Sequence, residues 1–210
     1  MDVLTKIKLV LTKPTELFKK IEKKKGIKES YKYFAIITLV SVVFGFISVI
    51  TFPNFVYNLI RKLFITSLPE AQMPTIPGII TALIAGYILA LLLVFVSVAL
   101  LHIWIKIFRG KGKFEETFKI YSYGTTPSSL LSWIPLIGLF AWIYDLVLLI
   151  IGTSILHKIS RTRSTVLYLI PVVISALLLI LIITAVIALF SYITSIPGSS
   201  EAIKGYINFM

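Results

Sequence analysis

The stretch "YSYGTTPSSLLSWIPLIG", residues 121–138, decides the fold because it places helix-breaking residues in the most apolar half of the chain. It contains two glycines, two prolines, two threonines and four serines. At membrane depth, irregular backbone is tolerated only where neighbouring protein or water satisfies its polar groups. We therefore expect this stretch to be buried among helices rather than to face lipid.

The segments around this stretch have the length and composition of membrane spans. Of the 210 residues, 58% are hydrophobic and 14% are charged, whereas soluble domains carry about 25% charged residues. Uncharged apolar runs occupy residues 33–52, 76–105 and 165–196, and each exceeds the ~18 residues that indicate a spanning helix. The sequence therefore predicts an all-α, polytopic transmembrane helical bundle.

Three segments rich in lysine and arginine predict the orientation. Residues 1–32 hold ten lysines and four acids, residues 106–119 hold five basic residues and two acids, and residues 157–165 hold three Lys or Arg residues. Short cytoplasmic loops retain Lys and Arg. We therefore expect all three segments, and the N-terminus, to face the cytoplasm of a multi-pass cell-membrane protein, with residues 197–210 as a short external tail.

This orientation requires residues 120–156 to leave the inner leaflet and return to it. Two crossings of ~20 residues each need about 40 residues, slightly more than the segment contains. The sequence therefore predicts five spans in residues 33–196, of which the third and fourth are short and form a broken-helix hairpin. The alternative is an ordinary loop and one helix at 137–156, which would place residues 157–165 outside.

Residues in the opening stretch explain where the hairpin breaks. Gly124 can end the first helix, and Thr125 or Thr126 can cap a second helix that has Pro127 in its first turn, where a missing N–H costs nothing. We therefore expect a helix break at this point.

The basic segment 1–32 has apolar residues at helical spacing, with lysines on the other sides. This pattern predicts amphipathic interfacial helices on the anionic inner leaflet, with their apolar side in the lipid. The alternative is that the lysines only retain the segment on the cytoplasmic side. The lysines predicted to face lipid phosphates are Lys19, Lys20, Lys23, Lys24 and Lys25.

Two further patterns concern packing. Residues 55–65 predict a helix on the outer surface or, alternatively, an unstructured connector. Ala82, Gly86 and Ala90 recur every four residues, a spacing that either lets another helix approach closely or arises by chance.

Asp145 is the single acid well inside a predicted span. An intramembrane carboxylate is costly and is by default a functional-site candidate, although it could also be a structural hydrogen-bonding group that holds the broken segment. Its predicted partners are His102, Tyr144 or the nearby hydroxyl groups. The candidate buried polar site consists of Asp145, His102, Tyr123, Gly124, Thr125, Thr126, Pro127 and Ser128.

Several classes of chemistry lack the required residues. The chain has no cysteine, so it has no disulfide and no thiolate metal site. No carboxylate lies at helical spacing from His102 or His157, and no phosphate-binding or nucleophile motif is complete. The positive charge also lacks interleaved aromatic residues of the kind that bind nucleic acid. We therefore predict no enzymatic activity, no cofactor, no metal and no nucleic-acid partner.

Three pieces of the sequence, taken in order, resemble the YIP (Ypt-interacting protein) domain family. They are "LTKPTELFKKI" (11–21), "FRGKGKFEETFKIYSYGTTPSSLLSWIPLIG" (108–138) and "LLIIGTSILHKISRTRS" (148–164). The matching residues are Pro14, Phe18, Gly110, Phe114, Phe118, Tyr123, Gly124, Pro127, Gly152, His157, Ile159, Ser160 and Arg163. Ser164 stands where the family pattern has alanine.

The resemblance implies a five-span protein with a cytoplasmic N-terminus and a lumenal or external C-terminus. Eukaryotic members act in vesicle traffic and bind Rab-type GTPases and each other. The short basic N-terminus here resembles the prokaryotic branch, so Rab binding is not carried over. We expect a non-enzymatic scaffold or adaptor that interacts with itself, with anionic lipids or with other membrane proteins. The alternative is a small transporter or channel subunit that uses Asp145 and residues 121–138.

Overall fold

The computed structural model describes residues 1–53, 55, 58 and 75–195. No strand occurs in these residues, which confirms the all-α class. The predicted surface helix at 55–65 lies almost entirely outside them, and the tail 197–210 lies entirely outside. The helices with described bounds are α1 (Val3–Thr12), α2 (Pro14–Glu22), α3 (Lys28–Thr51), α4 (Ile76–Ile107), α5 (Phe114–Gly124), α6 (Thr126–Leu131), α7 (Ile137–Leu156) and α8 (Arg161–Ser195).

Four helices in the described part of the chain are long and apolar enough to cross a membrane, namely α3, α4, α7 and α8. Helix α4 has 32 residues and is about 48 Å long, so it must tilt in or protrude from a hydrocarbon layer of about 30 Å. Helices α5 and α6 have 11 and 6 residues, so no single helix there reaches spanning length.

The chain divides into two compact units, Met1–Leu167 and Tyr168–Met210. Helix α8 passes from the first unit into the second, and Pro171 does not end it. In the second unit the large apolar side chains from Val173 to Leu189 are exposed. This exposure suits a helix whose solvent is lipid.

Helix α5 is the central helix of the first unit. Seven of its 11 residues are buried, and it contacts α3, α4 and α7. At its start the Glu116 carboxylate accepts a hydrogen bond from the backbone N–H of Lys113 (2.8 Å), where negative charge also complements the helix dipole. Phe118 packs in one apolar cluster and Ile120 in another. Helix α5 therefore joins the two clusters.

The apolar face of α2 is buried in protein. Leu17, Phe18 and Ile21 are at most 1% exposed, and α2 packs against α7. The prediction that this face lies in lipid is therefore wrong, because Gly152 of α7 leaves a gap that the Phe18 ring fills. The five lysines predicted to face lipid, Lys19, Lys20, Lys23, Lys24 and Lys25, are exposed, and their contact with lipid stays a prediction.

Helices α5, α6 and α7 form an antiparallel hairpin. At its open end the backbone N–H of Lys111 donates to the carbonyl of His157 (2.9 Å). Towards its tip the N–H of Ser128 donates to Asp145 (3.1 Å). Residues 132–136 connect α6 to α7. The segment therefore returns to the end from which it starts, as the broken-helix prediction requires.

Candidate functional site

The helix break beside Asp145 is the first part of the candidate site. Helix α5 ends at Gly124 and α6 begins at Thr126, which confirms the predicted position. The first N–H groups of a helix have no acceptor within it. One of these belongs to Ser128, and the Asp145 carboxylate of α7 accepts its hydrogen bond. Asp145 therefore caps α6 from a neighbouring helix.

The groups around the break show why this cap comes from another helix. Thr125 occupies the N-cap position of α6, but its hydroxyl donates to the carbonyl of Tyr121 in the preceding helix (3.0 Å). The Thr126 hydroxyl donates to the carbonyl of Tyr123 (2.8 Å), and Pro127 has no N–H. The threonines thus satisfy the end of α5, and the start of α6 depends on Asp145.

We expect Asp145→Leu to destabilise the protein by about 1–3 kcal/mol, because it leaves the partly buried Ser128 N–H without an acceptor. Asp145→Asn is the matched variant, since its amide oxygen can keep the bond, and it should cost less. Thermal unfolding in detergent, followed by size-exclusion chromatography, measures both effects. Equal losses in the two variants would contradict the capping role.

The structure separates His102 and Tyr144 from Asp145. The Tyr144 hydroxyl donates to the carbonyl of Leu11 (3.0 Å) and ties α7 to α1. His102 Nδ1 lies 2.7 Å from the hydroxyl of Thr117. Among the partners predicted for Asp145, Ser128 therefore contacts it, whereas His102 and Tyr144 bond to other groups.

Two histidines share one buried threonine. The hydroxyl of Thr117 lies 2.7 Å from His102 Nδ1 and 2.9 Å from His157 Nε2. A hydroxyl carries one donor, so Thr117 can donate to one ring and accept from the other while both imidazoles are neutral. No group of three or more His, Cys, Asp or Glu residues in the described chain could hold a metal ion.

The second ring nitrogen of His157 faces two glycines. A Cβ at Gly110 or at Gly112 would lie 2.9 Å from His157 Nδ1, and this buried nitrogen has no hydrogen-bond partner. Burial is the main cause that lowers the pKa of His157 to about 4, and His102 and Lys106 lower it further. His157 is therefore neutral at pH 7 and fills the space that the glycines leave.

Tyr123 belongs to a third polar group, next to a buried lysine. Its ring lies 4.5 Å from that of Tyr33, and the Tyr33 hydroxyl is 2.9 Å from the Thr126 hydroxyl. Lys6 is 4% exposed, lies 5.8 and 5.9 Å above the two rings and pairs with Glu29 (3.6 Å). Cation–π attraction and this ion pair fix α1 on α3 and α5.

Residues before α3, before α5 and after α7 form a single surface that we call the lysine-rich face, defined as residues 22–26, 109–116 and 158. It surrounds a cavity of about 430 Å³. Buried Lys119 donates from α5 to the carbonyl of Lys24, and the N–H of Gly26 donates to Glu115. These bonds hold the face to the core of the unit.

The residues of the family pattern lie mainly at contacts between helices. Pro14 begins α2, Phe18 packs on Gly152, and Gly110 lies against His157. Other contacts pair Phe114 with His102, Phe118 with Phe95, Gly124 with Leu149, and the hydroxyl of Ser160 with the N–H of Arg163 at the start of α8.

In the described chain, Gly86 at the centre of the predicted helix-packing seam has no neighbour. Ala82 and Gly86 are exposed and Ala90 is half-buried, and no atom lies within 4 Å of a Cβ built on Gly86. Packing of another helix on this seam stays a prediction.

Two important buried residues, Thr117 and Lys119, were not predicted from the sequence. Both are at most 1% exposed. No local pattern marks them, because residues 114–124 mix Glu, Lys, Thr and Ser with aromatic residues, and only the packed structure shows that seven of the 11 residues are buried. In such a helix every polar residue needs a partner inside the protein.

The fold and these contacts define a class, a multi-pass helical membrane protein whose lysine-rich face lies at the open end of a broken-helix hairpin. The chain belongs to the Yip1 domain family, whose model matches residues 8–200. This family is not known as enzymatic. No curated protein and no solved structure matches the sequence.

Proposed function

We propose that the protein is a non-enzymatic membrane scaffold or adaptor, and that its lysine-rich face binds other membrane proteins or further copies of itself. Through these interactions the protein organises the membrane or takes part in a process that resembles vesicle trafficking. The observation that carries this proposal is that contacts between separate segments hold the face in one arrangement. A surface that is arranged before binding loses less entropy when a partner binds.

These contacts join segments that are distant in sequence. Lys111 is fixed to His157 through the backbone, and Lys158 pairs with Glu22 (3.6 Å). Lys119 and Glu115 hold residues 24 and 26. These contacts therefore join three basic segments of the chain into one surface.

We also propose five crossings, with the N-terminus and the lysine-rich face in the cytoplasm and the C-terminus outside. The hairpin geometry supports this arrangement, because Lys111 and His157 meet at its open end. Helix α7 has 20 residues and is about 30 Å long, so the tip of the hairpin can reach the opposite side of the hydrocarbon layer.

Because the chain has no cysteine, single-cysteine variants test this topology directly. We expect an impermeant thiol reagent applied from the cytoplasmic side to label Lys111→Cys and Arg161→Cys. The same reagent applied from outside should label Ser199→Cys. Labelling of Arg161→Cys from outside would overturn the five-crossing topology.

The scaffold proposal is tested by crosslinking in native membranes. A photoreactive amino acid at Lys111, on the lysine-rich face, should give discrete adducts larger than the monomer. The matched control places it at Lys8, which is exposed on α1. Coexpression of two differently tagged copies shows whether an adduct contains a second copy. Identical adducts from both positions, or none from Lys111, would contradict the proposal.

Transport remains the alternative prediction for the function of Asp145. The contact with Ser128 supports the structural role instead, because it gives the carboxylate a capping task. Three surface cavities of 430 to 600 Å³ are lined by residues within 12–25, 111–116 and 155–158, and Asp145 lines none of these three. A solute flux in proteoliposomes that Asp145→Asn abolishes would favour the transporter.

A further inference from the structure

The cavity of the lysine-rich face has an excess of positive charge. It is lined by six lysines and three glutamates together with Gly112 and Leu156. The glutamates already have partners, since Glu22 pairs with Lys158, Glu115 accepts from Gly26 and Glu116 accepts from Lys113. No ion pair in the described chain involves the lining lysines Lys23, Lys24, Lys25, Lys111 or Lys113.

Hydrogen bonds hold the backbone that lines the cavity in place before any ligand binds. The 23–25 segment is held by Lys119 through the carbonyl of Lys24, and Gly26 adopts a left-handed conformation (φ 77°). On the other side, Lys111 donates its N–H to His157. An anion that enters therefore meets ammonium groups carried by ordered backbone from separate segments.

The position of the cavity indicates where that anion comes from. Its lining lies at the ends of three membrane-length helices, just before α3 begins, just after α4 ends and at the last residue of α7. Residues at the ends of spanning helices lie at the level of the lipid headgroups. Lysines at this level attract anionic lipids.

We propose that this cavity binds the phosphate of an anionic phospholipid headgroup, with Lys25, Lys111 and Lys113 among its ligands. The phosphate would be paired by ammonium groups that have no other counter-ion in the described chain. The inference rests on one part of the proposed function, namely that the lysine-rich face lies on the cytoplasmic side. The lipid contact itself does not require a protein partner.

The experiment titrates purified protein in neutral detergent with short-chain phosphatidic acid, short-chain phosphatidylcholine or inorganic phosphate. Two triple variants remove equal charge. Lys25→Gln/Lys111→Gln/Lys113→Gln changes the cavity, and Lys8→Gln/Lys13→Gln/Lys32→Gln changes exposed lysines outside it. We expect saturable binding of phosphatidic acid, weakened about 100-fold by the cavity triple and less than about threefold by the control triple.

The outcomes separate the sources of the anion. Equal weakening by both triples, or equal binding of phosphatidylcholine, would overturn the site. Inorganic phosphate that binds as tightly as phosphatidic acid would overturn the lipid assignment. All substituted lysines are exposed, and Lys111→Glu is a second variant if the triple fails to fold. Because the titration uses purified protein, its failure is distinguishable from a failure of the crosslinking that tests the scaffold.

Discussion

Phe18→Ala should lower the free energy of unfolding by about 3–5 kcal/mol, the typical cost of removing a buried aromatic ring. Phe18 is fully buried and fills the gap over Gly152, so its loss leaves a cavity between α2 and α7. Thermal unfolding in detergent gives the stability, and limited proteolysis near Lys13 reports detachment of α2. Phe140→Ala is the matched control, because that ring is 72% exposed, and it should have little effect.

Adding volume at the contact between Phe18 and Gly152 should also destabilise the protein. A Cβ added to Gly152 would lie 2.8 Å from the Phe18 ring, so Gly152→Ala should cost about 1–3 kcal/mol through overpacking. Gly86→Ala is the control, since nothing lies within 4 Å of its added carbon and alanine favours a helix. If Phe18→Ala and Gly152→Ala were both as mild as their controls, the docking of α2 on α7 would be refuted.

The contribution of His157 to stability should fall by about 2 kcal/mol between pH 7 and pH 5, because this group titrates differently in the folded and unfolded states. Burial lowers its folded pKa to about 4, while the unfolded value is about 6.5. In this window the unfolded chain binds the proton more readily, so acid favours unfolding. The stabilisation is complete above the unfolded pKa and is lost as the pH falls towards the folded pKa.

The variant His157→Gln should remove most of this pH dependence while its amide still reaches Thr117. The groups that face His157 are His102, Lys106 and Thr117. The chain has two histidines, so His102→Gln and the double variant separate their contributions. Melting temperatures of the wild type and the three variants at pH 5, 6 and 7 measure the pH dependence of stability. If His157→Gln retained the full slope of the wild type, another group would be responsible.

The main features of the architecture follow from the sequence because lipid imposes simple rules. Long uncharged runs predict α3, α4 and α8, and the charge of the loops requires the segment between them to turn back on itself. Gly124, Thr125 and Pro127 then locate the break. Each of these arguments depends only on local composition and on the thickness of the bilayer.

The candidate site was less predictable because its contacts depend on the register between helices. No local pattern brings Ser128 to Asp145, or Thr117 between His102 and His157. The lipid-facing prediction for α2 was wrong for the same reason. An amphipathic helix fits either a membrane surface or a protein groove, and the gap at Gly152 becomes visible only when α7 is packed beside it.

Docking of α2 on α7 joins the start of the chain to a helix that the ribosome makes much later. Until Gly152 has been synthesised, Phe18 has no pocket, and α2 is expected to rest in the headgroup layer, where an amphipathic helix is stable without a partner. The nascent chain is therefore left with its first helices undocked while the other spans insert. Once α7 has been made, α2 can leave the lipid and dock on it.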